Sequence, residues 1–270
     1  MMISRLYVII LLIIIAMSRT RALKGAVKLA CPLVKTFSRR MATSPPQPTT
    51  PLPTSTVNPM MPSPKKASAV VNEEKLAAKS LSRALEKQAA GDACVVIGMD
   101  EAGRGPLAGP VVCAACFIPF DAENIPGIAD SKLLSEPERE FLFEKLTTHP
   151  DVKYATNIVT HTEIDEINIL QASLQGMARA THSLLAQLNF TQGSSQFASS
   201  VVGLVDGNKM PSLTIPAKTV VQGDRKIYSI AAASIIAKVT RDRIMVELDR
   251  QYPQYELALH KVSGGNTLSY

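Results

Sequence analysis

The stretch VVIGMDEAGRGPLAGPVVCAACFI, residues 95–118, decides how this chain is read. It opens on the apolar run Val95 to Met99 and passes through Asp100 and Glu101. It then breaks into a loop, Gly103 to Pro110, and returns to an apolar run through Val111 and Ile118. Short apolar runs bounded by Gly and Pro read as buried strands. Outward from there, Ser135-Glu136-Pro137-Glu138 has the capping-box pattern with Pro in the first turn, and predicts a helix of about a dozen residues. Lys153 to Thr160 reads as a strand, Glu163 to Leu188 as helix, residues 187–200 as polar loop, and Val201 to Val205 as another buried strand. Ile227 to Arg250 is the longest helical pattern, with Ala231, Ala232 and Ala233 placed where a helix can approach a sheet closely. The alternation predicts an α/β domain with a central mixed sheet flanked by helices.

Upstream, residues 73–91 read as a short amphipathic helix ended by Gly91, with its acids at the N-terminal end where the helix dipole favours them. Residues 43–72 form a Pro-rich linker, with Pro45, Pro46, Pro48, Pro51, Pro53, Pro59, Pro62 and Pro64 among Ser and Thr. That composition favours extended conformations and buries no core. Residues 1–42 carry an apolar run from Leu6 to Met17 flanked by arginines, then a basic, acid-free stretch. The run falls short of the ~20 residues that span a bilayer. The segment is expected to be a mitochondrial presequence; a secretory signal, a signal anchor, or a start at Met41 with a nuclear location are the alternatives.

The net charge of +6 invites a nucleic-acid reading until it is divided along the chain. Ten basic residues and no acids precede Glu73, which leaves 19 basic against 23 acidic residues downstream. The globular part is mildly acidic, so any basic surface must be local. Four cysteines are too few for a disulfide scaffold,. Cys113 and Cys116 form a C-x-x-C, but strand alternation sends them to opposite faces and nothing completes a zinc site, so they read as core. His149, His161, His182 and His260 are scattered, with no i,i+4 pair.

Two buried strands end in acids, at Asp100-Glu101 and at Asp206, and Asp224 precedes the long helix. A single strand-end Asp has a structural explanation, since it commonly caps a turn. Four carboxylates converging would repel one another, and divalent Mg²⁺ or Mn²⁺ takes such hard oxygen ligands. Two such ions ~4 Å apart suit phosphodiester hydrolysis. The glycine-rich loop is neither a P-loop, lacking Gly-Lys-Ser/Thr, nor a dinucleotide fingerprint, its third Gly being one residue late. It does offer close backbone approach at Gly103 and Gly105 with a cation, Arg104, between them.

Gly98 to Val112 resembles the opening signature of the type 2 ribonucleases H. Asp130-Ser131-Lys132-Leu133-Leu134-Ser135, Val205-Asp206-Gly207-Asn208, and Gly223-Asp224 leading into Ser229 to Asp242 resemble the same family in the same order. The resemblance covers residues 94–261, closest to the single-chain bacterial form, within a domain taken as 94–270. It implies an RNase H-like fold and endonucleolytic cleavage of RNA in RNA–DNA hybrids. It also implies incision at ribonucleotides embedded in DNA, with roles in RNA primer removal and ribonucleotide excision repair. By resemblance, Asp100, Glu101, Asp206 and Asp224 bind two divalent cations. Gly103, Arg104 and Gly105 match the loop that reads the ribose 2′-hydroxyl. Lys132, Thr240 and Arg241 resemble positions near the nucleic-acid backbone. The implied partners are the hybrid or ribonucleotide-containing DNA, with no obligate protein partner and a monomeric chain.

Two departures stand out. Gln222 replaces a frequent Lys before Gly-Asp, and after His260-Lys261 the expected tyrosine is replaced by Ser263, with Tyr270 out of register. The C-terminus is therefore expected to be incomplete, through true shortening or a misread coding end. The competing function is a catalytically weakened hybrid-binding protein. A nucleotide-dependent switch is disfavoured by the missing Gly-Lys-Ser/Thr.

Overall fold

The computed structural model describes residues 71–190 and 200–261. The presequence-like segment, the Pro-rich linker up to residue 70, and Ser263 and Tyr270 lie outside the described residues. The elements are α1 (Glu73–Ala77), α2 (Ala84–Ala90), β1 (Val95–Ala102), β2 (Val111–Phe117), α3 (Glu136–Thr148), β3 (Lys153–Val159), α4 (His161–Ile167), α5 (Ile169–Gln187), β4 (Val201–Asp206), β5 (Ala217–Val220) and α6 (Tyr228–Gln251). Short 3-10 turns stand at Ser131–Leu133, Gly223–Arg225, Pro253–Tyr255 and Leu257–Lys261. The sheet runs β3-β2-β1-β4-β5, antiparallel across β1, β2 and β3, and parallel across β1, β4 and β5. The expected mixed sheet flanked by helices is therefore present.

Helices cover both faces, which is why β2 is buried along its whole length. Val112, Ala114 and Cys116 join one core with Leu142 and Leu146 of α3 and the alanines of α6. Cys113 faces α5 instead, its thiol donating to the Ser173 carbonyl at 3.4 Å, and Gly176 of α5 leaves only enough room for that sulfur. The C-x-x-C is thus split across the sheet as strand alternation predicts.

Three boundaries differ from expectation. The helix expected over 73–91 is two helices, because tertiary bonds draw the intervening backbone away: Leu81 N–H donates to the Ile128 carbonyl at 2.9 Å, and Ser80 Oγ accepts from Gly127 N–H. The helix expected over 163–188 breaks at Asn168, at φ +69°, whose side-chain oxygen caps α5 by accepting from Leu170 and Gln171 N–H at 3.1 Å each. Strand β5 was not anticipated; only four residues long, it has an exposed centre (Lys218, Thr219) and no apolar run to announce it.

Helix α6 lies against β1 at backbone distance. A Cβ added at Gly98 would overlap the Ser229 carbonyl carbon, so only glycine permits this approach,. The contact fixes the first turn of α6 two residues before Asp100. Gly98→Ala is expected to destabilise the fold by at least about 2 kcal/mol through overpacking against backbone, read as a lowered urea midpoint. An unchanged midpoint would mean that α6 is free to move off the strand.

Candidate active site

The parallel pairing of β1 with β4 sets Met99 beside Val205, so Asp100 and Asp206 follow side by side at the carboxyl ends of adjacent strands. Alternation turns Asp100 toward α6, where the Ser234 hydroxyl bonds it, and turns Glu101 to the other side of the strand end, in register with Cys113,. Asp206 Oδ1 accepts from Gly223 N–H at 2.6 Å, which draws the 3-10 turn carrying Asp224 toward the sheet edge. Asp224 Oδ2 meets Lys132 Nζ at 3.2 Å. Four carboxylates from three separated segments are therefore neighbours.

Their electrostatics show mutual strain. Burial pushes the Asp100 carboxyl well above the usual carboxylate range, and the negative charges of Glu101 and Asp206 push it further, against the bonds from Ser234 and from Glu101 N–H. Glu101 is raised by burial despite Arg104, with Asp206 adding to the rise. Asp224 is raised by burial, Lys132 opposing and Asp130 and Asp206 reinforcing. Partial burial acts against the Lys132 ammonium, but Asp224, Asp130 and Asp100 outweigh it and hold its pKa above the ordinary value.

The loop from Gly103 to Pro110 hangs beside this cluster. Gly103 has φ +105°, and a Cβ there would overlap Arg241 Nε and stand 2.5 Å from the Pro110 carbonyl oxygen. Arg104 and Gly105 are exposed, and the Arg104 guanidinium reaches Glu101 Oε1 at 3.4 Å. Lys132 follows its motif partner Asp130, whose carboxylate accepts from Lys132 N–H at 2.9 Å and pairs with Arg225 Nε at 2.9 Å. Thr240 is partly buried on α6.

Arg241, which by resemblance stands near the nucleic-acid backbone, is only 1% exposed, and its Nε and Nη2 donate to the carbonyls of Pro110 at 3.0 Å and Ala108 at 2.9 Å. Its guanidinium is spent inside the protein, clamping the glycine-rich loop to α6. Sequence reasoning also gave no role to Ser131 and Ser234, whose hydroxyls meet at 2.9 Å beneath Asp100. For Ser234 the available signal was a small polar residue within a largely apolar stretch of α6.

Among the described residues, no three His, Cys, Asp or Glu side chains stand close enough together to hold an ion as they lie. The donor set nevertheless fits a hard divalent cation in chemistry: all carboxylate, with no His or Cys among the four, and with three members raised by burial and, in part, by one another's charge,. In their present orientations Lys132, Arg104, Ser234 and the Gly223 N–H serve as the counter-groups.

A carboxylate cluster at the ends of adjacent strands of a mixed sheet, roofed by one long helix and beside an exposed Gly-Arg-Gly loop, defines the RNase H-like class of nucleases. Within that class the chain belongs to the ribonuclease HII family, whose model matches residues 97–267, six residues beyond the stretch in which the resemblance was legible. It is therefore a ribonuclease H, a hydrolase. It is 44% identical over 167 residues to ribonuclease HII of Francisella tularensis subsp. novicida (strain U112), covering 62% of this chain and 83% of that one. It is 47% identical over 169 residues to ribonuclease HII of Geobacter metallireducens, covering 63% and 73%. Among solved structures it is similar to ribonuclease H2 from Pyrococcus horikoshii OT3, at 34% identity and a TM-score of 0.46, covering 60% of this chain and 78% of that one.

The raised Asp100 carboxyl has a stability consequence. Its folded pKa exceeds its unfolded value, so the folded state binds more protons between the two, and stability falls as pH rises through that window,. Asp100→Asn removes the charge at nearly constant shape. In chelator at pH 7 it should melt a few degrees above the parent, about 1 kcal/mol corresponding to roughly 2–4 °C in a domain of this size. The gap should close as pH falls toward the ordinary carboxylate range. A variant that melts lower than the parent at pH 7 would contradict the repulsion.

Proposed function

We propose that this chain cuts the RNA strand of RNA–DNA hybrids endonucleolytically and incises duplex DNA at embedded ribonucleotides, leaving 5′-phosphate and 3′-hydroxyl ends. The observation that carries it is the juxtaposition of Asp100 with Asp206, flanked by Glu101 and Asp224, beside a loop with an exposed arginine. Asp100, Glu101, Asp206 and Asp224 would hold two divalent cations, Mg²⁺ or Mn²⁺. Those ions, when bound, supply water activation and stabilisation of the leaving oxygen in an in-line displacement.

The chain's own residues do the rest. Positive φ at Gly103 bends the backbone so that the loop amides are presented without side-chain obstruction, as reading of a ribose 2′-hydroxyl requires,. Arg104 donates to a phosphate from the loop tip. Lys132 holds Asp224 in place and offers an ammonium to the backbone nearby. Arg241 keeps the loop in register with α6 from within. The presequence-like composition of residues 1–42 supports a mitochondrial site of action in primer removal and ribonucleotide excision repair.

The direct test is cleavage of a DNA duplex carrying one ribonucleotide by the purified full chain, with Mg²⁺ or Mn²⁺ and with chelator. Cutting is expected only with metal, and Asp100→Asn should lower kcat on the order of a hundredfold to a thousandfold. Binding without turnover in either metal, or equal rates for Asp100→Asn and the parent, would sink the proposal. Arg104→Ala is expected to act differently, raising KM and lowering kcat/KM about tenfold, with a shallower salt dependence from the lost phosphate contact. An unchanged salt slope would remove Arg104 from the interface.

A further inference from the structure

Helix α6 carries the site at its start, yet its own sequence gives that start no side-chain cap, because the N-cap residue is Ile227,. The Ser229 N–H donates instead to Glu86 Oε1 at 2.9 Å, a residue 143 positions earlier. Glu86 is fully buried, and its Oε2 accepts from Arg83 Nε at 2.8 Å. The Arg83 guanidinium also donates to the carbonyls of Ile118 at 2.6 Å and Pro119 at 2.5 Å, just past β2. It lies over the rings of Phe120 and Tyr228, 4.7 and 5.1 Å from their centroids. One buried pair thus ties α2, the exit of β2 and the entry of α6. Both residues precede the region 97–267 that the family model matches.

The first turn of α6 is the shared mount of the carboxylates. Ile227 N–H donates to the Gly223 carbonyl at 2.8 Å, closing the turn that contains Asp224. The Ser229 carbonyl abuts Gly98, two residues before Asp100, and Ser234, a turn and a half further on, bonds Asp100 itself. A buried ion pair is a poor way to gain stability, since desolvation offsets much of the attraction and apolar packing of equal volume does as well. What Glu86 supplies that a leucine does not is direction: an acceptor aimed at one particular N–H.

We propose that the Arg83–Glu86 pair is a positioning device for the active site, setting the start of α6 so that Asp224 and Ser234 keep their register against Asp100. It acts through α6 and touches neither substrate nor cation. The inference rests on the metal-dependent cleavage proposed above, and the test separates the two.

Three variants of the full chain are compared with wild type: Glu86→Ala, Glu86→Asp, which retracts the carboxylate, and Glu86→Gln, which keeps an acceptor at the same reach. Three quantities are read: Ser229 amide hydrogen exchange without metal, the Mn²⁺ concentration giving half-maximal thermal stabilisation, and kcat and KM on a duplex with one ribonucleotide. In the Ala and Asp variants Ser229 exchange should quicken roughly tenfold or more. Half-saturating Mn²⁺ should rise about three- to tenfold, and kcat should fall while KM holds within about twofold. Glu86→Gln should return all three toward wild type. Wild-type Mn²⁺ dependence and kcat in Glu86→Asp, or a Gln variant as impaired as Ala, overturns the positioning role alone. A wild-type chain with neither Mn²⁺ stabilisation nor cutting overturns the cleavage reading, and this one with it.

Discussion

Repulsion among carboxylates at one sheet edge is the constraint around which this domain is arranged. Parallel pairing of β1 and β4 makes Asp100 and Asp206 neighbours whatever the side chains prefer, and burial denies Asp100 the water that would screen its charge,. A fold that places such a group must either neutralise it or supply donors. Here the donors are individually weak: a serine hydroxyl, backbone N–H groups, and a lysine and an arginine that are each about half exposed. They hold the oxygens in place without cancelling the charge, and the cluster therefore keeps an appetite for cations.

That arrangement explains why so much of the remaining structure converges on the first turn of α6. The helix reaches β1 only because residue 98 is glycine, and it is fixed laterally by Arg241 bonds to the glycine-rich loop. Its middle holds a second buried pair, Lys238 with Asp242 at 2.5 Å, one turn along the helix. Burial lowers the Lys238 pKa and raises that of Asp242, each against the attraction of the other. Charged groups are thus buried along a helix whose inner face is otherwise mostly alanine and isoleucine, and each is bonded within the protein.

Much of this was legible in the sequence, for reasons that differ by element. The strands through Met99 and Val205 were readable because burial on both faces leaves a continuous apolar run, and the helix after Ser135 because its cap is local chemistry: the hydroxyl and Glu138 complete the box as expected. Asp100, Glu101, Asp206 and Asp224 stood out because acids at buried strand ends are costly. The break at Asn168, the division between α1 and α2, and strand β5 were not readable. Each depends on a partner distant in sequence or on a left-handed residue that the helical pattern conceals.

The two arginines near the loop show where sequence reasoning reaches its limit. Arg104 and Arg241 carry the same chemistry, and both fell within segments that pointed to nucleic acid. Only exposure separates their roles: Arg104 stands at the loop surface, whereas Arg241 turns inward to carbonyls that no periodicity could have disclosed. Under the proposed function the inward arginine would still serve recognition, through the loop it holds. A glycine at φ +105° has no side chain with which to hold its own conformation, and the loop it begins keeps its shape because Arg241 bonds the carbonyls at its far end. A loop that reads a hydroxyl by backbone approach must be rigid before the substrate arrives. In this chain a buried side chain on the neighbouring helix supplies that rigidity, and Arg104 stands at the surface with Glu101 beside it.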